Sequence, residues 1–229
     1  LMSATIGNPR PLANELGIAE FTYDDYPHPI PAKYRPVYDL GVPRMVKANL
    51  DAKPSLYAIQ ATRIVKFIQM LPSDWRGIIL TTSYYKIQRL IDFLTGMLED
   101  RIMPFNRDAG LNERILSFMS DKTPGKIAVD TIQGWGTGLD LYGDIARFAV
   151  VAGTPFYNPT DRYDYLRINR NGGRQYSLWS TYTAIPQASG RISRGEVDDN
   201  NNYLTNVACI ADGSATTEQA LGFYPKWFS

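Results

Sequence analysis

Two arginines three residues apart, Arg191 and Arg194, close the segment Gln187-Ala188-Ser189-Gly190-Arg191-Ile192-Ser193-Arg194. On a helix that spacing puts both guanidiniums on one face, where their forked N–H donors can grip a single anion, while Gly190 leaves room for another element to approach closely. The same residues also describe a solvated basic helix face, the usual fate of charged helix positions. A second cluster, Gln133-Gly134-Trp135-Gly136-Thr137-Gly138-Leu139-Asp140-Leu141-Tyr142-Gly143-Asp144, is a Gly-rich loop. Glycines there allow a backbone to come close to a ligand, and a turn with no ligand would use them equally well. A third candidate is the polar and aromatic run Thr82-Ser83-Tyr84 after a short apolar stretch.

These residues need a scaffold, and the hydrophobic pattern outlines one. Tyr57, Ala61, Ile64, Val65 and Ile68 recur at helical spacing until Pro72 stops them. The pattern from residue 77 to 82 predicts a strand, and Ile87, Leu90, Ile91, Leu94 and Leu98 predict the helix after it. A helix over 111–119, strands at 126–130, 148–152 and 207–211, and a helix over 176–194 complete the pattern, with Pro186 either restarting or kinking that last helix. Alternating strands and helices imply an α/β fold with a doubly wound, mainly parallel sheet, whose ligands bind in the loops after the strand carboxyl ends. Residues 1–54 are proline-rich, and a small helix near Pro11 to Leu16 with an extended crossover is expected there. The stretch 158–174, rich in Asn, Arg and Tyr, reads as a polar loop. Its Arg162, Arg167, Arg170 and Arg174, interleaved with Tyr163 and Tyr165, suit either a phosphate backbone or an exposed loop.

In this order the clusters resemble the second motor domain of superfamily 2 helicases of the XPD-like and DinG-like group. Gln187 to Arg194 fits the QxxGRxxR pattern of motif VI. By that resemblance Arg191 and Arg194 are arginine fingers reaching the γ-phosphate of ATP held by the other motor domain, with Gln187 and Gly190 at the same interface. Gly138-Leu139-Asp140 followed by Gly143-Asp144 resembles motif V, which implies a backbone and Thr137 contact to nucleic acid, with Gly138 and Asp140 near the nucleotide ribose. Ile78 to Tyr85 resembles motif IV, making Thr82, Ser83 and Tyr84 candidates for touching the tracked strand, and Leu1 to Ile6 resembles motif III. The implied layout is 1–16 as the tail of a first motor domain, 17–54 as connector and 55–229 as a RecA-like second motor domain. The implied partners are ATP with Mg, bound mainly by the first domain, and single-stranded DNA or RNA, with DNA favoured.

No G-x-x-x-x-G-K-[ST] loop and no Asp-Glu box occurs, so a phosphate cradle is expected upstream, in a longer chain, and the 229 residues alone are expected to be inactive. A single cysteine, Cys209, cannot hold an iron-sulfur cluster within this stretch and reads as a core residue. His28, the one histidine, has no Ser or Cys partner in its surroundings and reads as a packing residue. A formal charge of +1 excludes binding by bulk basicity, and no apolar run approaches the ~18 residues of a membrane span. A cytoplasmic location, or a nuclear one in a eukaryote, is expected. Two other functions fit parts of the pattern. One is a non-catalytic nucleic-acid-binding module of the same fold. The other is an S-adenosylmethionine-dependent methyltransferase, suggested by Gly134-Trp135-Gly136-Thr137-Gly138, although such an enzyme expects an acidic end to the next strand, where this chain has Gly153-Thr154-Pro155.

Overall fold

The computed structural model describes residues 5–136, 139–141, 143–158, 160–170, 172–193 and 195–228. Arg10–Glu15 forms helix α1 with Pro11 in its first turn, where the missing N–H has no partner to lose. Val37–Asp39 (strand β1) and Lys47–Ala52 (helix α2) follow within the stretch expected as a connector. The apolar period from Leu56 to Gln69 makes α3, which buries Tyr57, Ala61, Ile64, Val65 and Ile68 along one side. Gly77–Thr81 is strand β2, buried throughout, and Tyr84–Leu98 is α4, capped by the Ser83 side chain. Next come Leu111–Ser120 (α5), Ile127–Thr131 (β3), Ile132–Trp135 (α6) and Phe148–Val151 (β4). Arg162–Asn169 (α7), Gly173–Ser189 (α8), Val207–Ile210 (β5) and Glu218–Leu221 (α9) lead to the end.

Among the described residues the strands make one five-stranded sheet in the order β1-β5-β4-β2-β3, with every pairing parallel. Alternate residues face opposite ways along a strand, so Ile79, Val129, Val150 and Cys209 pack under α3 and α4, while Ile78, Leu80, Ala149 and Val151 pack against α6, α8 and α9. This is the doubly wound α/β architecture that the sequence pattern implies. Burial on both faces explains why these strands read as unbroken apolar runs. Since β3 and β4 flank β2 on opposite sides, the winding reverses at β2, and the carboxyl ends of β2 and β4 border the crevice where such sheets accept ligands.

Besides the short helices α2, α6 and α9, which the pattern does not announce, the structure departs from the sequence pattern in three places. First, β1 pairs with β5, Val37 opposite Ala208, so the 17–54 stretch contributes an edge strand. Second, α7 replaces the polar loop expected over 158–174. Its start is set by Asp161, whose side chain accepts the N–H groups of Tyr163 and Asp164 at 2.9 and 3.1 Å. Third, α8 continues through Pro186 but stops at Ser189, and Gly190–Ile192 tightens into a 3-10 turn. The expected single helix over 176–194 is therefore two pieces, and Arg191 does not lie on an α-helical face.

Candidate nucleotide and nucleic-acid edge

Gly190 is a poor residue for continuing a helix, costing about 1 kcal/mol relative to Ala, and the turn there gives Arg191 partners that a helix would not. The Arg191 Nε donates to the Gly136 carbonyl at 3.0 Å, and its Nη1 reaches the Leu139 carbonyl at 3.5 Å. The Arg191 carbonyl in turn accepts the Leu141 N–H at 3.1 Å. The side chain thus points to the Gly-rich loop after β3, and the two clusters singled out in the sequence form one corner. A Cβ built on Gly190 would meet open space, so this chain leaves that approach clear. Asp140 is exposed on the same loop. Thr137, Gly138 and Arg194 lie outside the described residues.

Gln187 is half-buried on α8, and its Nε2 donates to the Thr5 hydroxyl at 2.9 Å. Beside it the Trp179 indole donates to the Ile6 carbonyl at 2.7 Å. Gly7, at φ +58°, runs so close to the backbone of Phe223 that any Cβ would overlap it. The N-terminal segment, whose first four residues lie outside the described ones, is thereby fastened to the helix that leads into Arg191.

The Thr82-Ser83-Tyr84 run sits at the carboxyl end of β2. Ser83 Oγ accepts the Lys86 N–H at 3.3 Å and starts α4, while the Thr82 methyl would lie 2.9 Å from a Cβ on Gly153, which places the loops after β2 and β4 in contact. Tyr84 is 40% exposed and packs on Phe105, with ring centroids 5.5 Å apart. Arg107 and Arg114 stand over its ring at 5.8 and 5.7 Å.

Two buried carboxylates that sequence reasoning missed frame this edge. Asp130, next to last in β3, is held by Arg114 through Nε–Oδ2 at 2.7 Å and Nη2–Oδ1 at 3.3 Å. That hydrogen bond is the main reason the Arg114 guanidinium is held above its usual pKa. Asp212, just past β5, accepts the backbone N–H groups of Met45 and Ser214 on Oδ1 at 3.0 and 2.9 Å, and that of Thr154 on Oδ2 at 2.8 Å. Burial lowers the pKa of Lys86 on α4, and the nearby Asp212 charge partly offsets this. Gln60, buried on α3, donates to the Ala152 and Ala211 carbonyls at 2.9 and 2.6 Å and so ties the ends of β4 and β5 together. The available signal was position alone: each residue lies at or just past a strand's carboxyl end.

The profile of the helicase C-terminal domain family matches residues 64–206, more than half of the chain. Among curated proteins none matches. Among solved structures, the chain is similar to the one titled "Crystal structure of the C-terminal part of Fun30 ATPase domain", at 13% identity and a TM-score of 0.41. That match covers 71% of this chain and 46% of the other, so the chain spans less than half of that structure's length.

Proposed function

The chain belongs to the helicase C-terminal domain family, and from that premise we propose that it is the second motor domain of an ATP-driven translocase on single-stranded nucleic acid, DNA in preference to RNA. The observation that carries the proposal is the corner at Arg191. A guanidinium there is oriented by two carbonyls of the Gly-rich loop, and the helix leading to it is fastened through Gln187 to Thr5. Changes at the N-terminal segment and at the Gly-rich loop therefore act on one turn of chain.

The donor set suits a nucleotide held mainly by another domain. This chain offers fixed positive charge at Arg191, an open approach at Gly190 and an exposed carboxylate at Asp140, and its sequence has no phosphate loop. When bound, ATP with Mg supplies the phosphoryl group whose transfer to water drives the motor. Arg191 and Arg194 would neutralise the charge developing on that group, and Asp140 would meet the ribose. Preorganisation is the physical gain, because the Arg191 fork is oriented before any nucleotide arrives and does not have to be ordered during reaction. Thr82, Ser83, Tyr84 and Thr137 would touch the nucleic acid, and closure of the two domains would move these contacts relative to those of the first.

The test is ATP hydrolysis stimulated by single-stranded nucleic acid in the intact protein. Arg194→Ala and Arg191→Ala are each expected to lower turnover about 10³-fold while nucleotide binding is largely retained. Arg191→Lys should not rescue, since an ammonium keeps the charge and loses the fork that the two carbonyls orient. Turnover unchanged in all three variants would remove the arginine-finger role. The 229-residue chain alone is expected to hydrolyse no ATP.

A further inference from the structure

The proposed contacts with nucleic acid lie in the loops after β2 and β3, and the loop after β4 leads to a further exposed surface. The loop after β4 touches Thr82 at Gly153 and carries the chain outward to α7. This helix buries none of its residues. Tyr163 is 82% exposed, Tyr165 55% and Leu166 56%, an aromatic and apolar surface turned to water on a single short helix.

The charges around it are arranged unevenly. The acidic groups are committed locally: Asp161 caps the helix, Asp164 accepts the Asn158 N–H at 2.9 Å, and Glu15 pairs with Arg170. Arg162 and Arg174 remain exposed and pair with no acidic side chain among the described residues. Arg167 lies over the Tyr176 ring at 5.4 Å, which keeps its cationic head at the surface of α7. Exposed tyrosines flanked by unneutralised arginines complement a flexible polyanion with planar rings: bases stack on the phenols, and phosphates meet the guanidiniums.

We propose that α7, with the first turn of α8, is a second docking surface for single-stranded nucleic acid, in which Tyr163 stacks on a base and Arg162 and Arg174 meet phosphates. The inference rests on the translocase reading for the nature of the occupant. It is independent of that reading's catalytic residues.

The experiment measures binding of fluorescently labelled 20-mer oligothymidylate and oligouridylate to the 229-residue chain by anisotropy over a range of salt concentrations. Tyr163→Ala is expected to weaken binding by about 5- to 100-fold, and Tyr163→Trp to restore it, because stacking needs only a ring face. Arg162→Ala combined with Arg174→Ala is expected to flatten the plot of log affinity against log salt by about 0.7 for each arginine. All three positions are exposed, so thermal unfolding should stay at the parent temperature. If the parent chain binds and Tyr84→Ala weakens it while the α7 variants bind as the parent does, with the same salt slope, the α7 surface is refuted and the translocase reading stands. Failure of the parent chain to bind either oligonucleotide would overturn both. Retained binding of oligonucleotides by the α7 variants, with loss of a protein partner instead, would also refute the proposal.

Discussion

Asp130 and Asp212 lie buried at the same edge of the sheet, yet their main partners differ, although Asp130 Oδ1 also accepts the adjacent Thr131 N–H at 2.7 Å. Asp130 faces a guanidinium carried by α5, 16 residues away in sequence, and the pair lies under the Tyr84–Phe105 contact. Asp212 faces backbone N–H groups from the segment before α2, the loop after β4 and its own turn, the farthest 167 residues away. A side-chain pair can be exchanged for another pair of matched shape, since both charges leave together. A carboxylate that gathers main-chain donors from separate segments has no single partner to exchange. One group supports a surface cluster locally, and the other clamps distant stretches of chain.

The largest test of that contrast is Asp130→Ala. It leaves the partly buried Arg114 without its counter-charge and should lower unfolding free energy by up to about 3–5 kcal/mol in urea titrations. Adding Arg114→Met should recover most of the loss, because removing both ions also removes their desolvation cost. A double variant as unstable as the single one would show that the pair acts through shape and not charge. Next in size is Asp212→Asn, which keeps an oxygen for Met45 and Ser214 and replaces the acceptor of Thr154 by a donor. A loss of about 1–3 kcal/mol is expected, with no single second substitution restoring it. Rescue at one partner position would erase the distinction between the two carboxylates.

The smallest effect concerns His28, which takes the part of a neutral acceptor. Its Nδ1 accepts the Ile30 N–H at 3.1 Å, its ring packs on Trp227, and burial with the neighbouring Arg35 charge holds its pKa below the usual 6.5. A proton is bound less readily in the folded chain than in the unfolded one. The contribution of His28 is therefore complete above pH 6.5 and is lost as pH falls through the lowered folded value. Comparing melting temperatures of the parent and His28→Phe at pH 7.5 and pH 5.5, the parent should lose more on acidification. The reverse order would place the charged form in the fold.

Much of the architecture was legible because a strand buried on two faces must be apolar throughout, and a helix lying on a sheet must repeat its apolar residues every three to four positions. β2, β4, α3 and α4 obey those rules plainly. α7 escaped because its start depends on the Asp161 cap and not on an apolar period, and β1 escaped because an edge strand of three half-exposed or exposed residues carries little pattern. At the candidate site the residue types were legible, and the geometry was not. The spacing of Arg191 and Arg194 suggested one helical face, whereas the chain turns at Gly190 and gives Arg191 two carbonyls 55 and 52 residues away.

By itself, then, the sequence determined the order of the four buried strands and of the longer helices between them, the chemical character of the loops at one edge and the family to which they belong, since these follow from local pattern and residue type. Only the tertiary structure decided that Arg191 meets the Gly-rich loop, that Gln187 holds Thr5, and that Asp212 gathers main-chain donors from separate segments. Such contacts join residues far apart in the chain, and their partners are often backbone groups, which every residue carries and no sequence pattern marks.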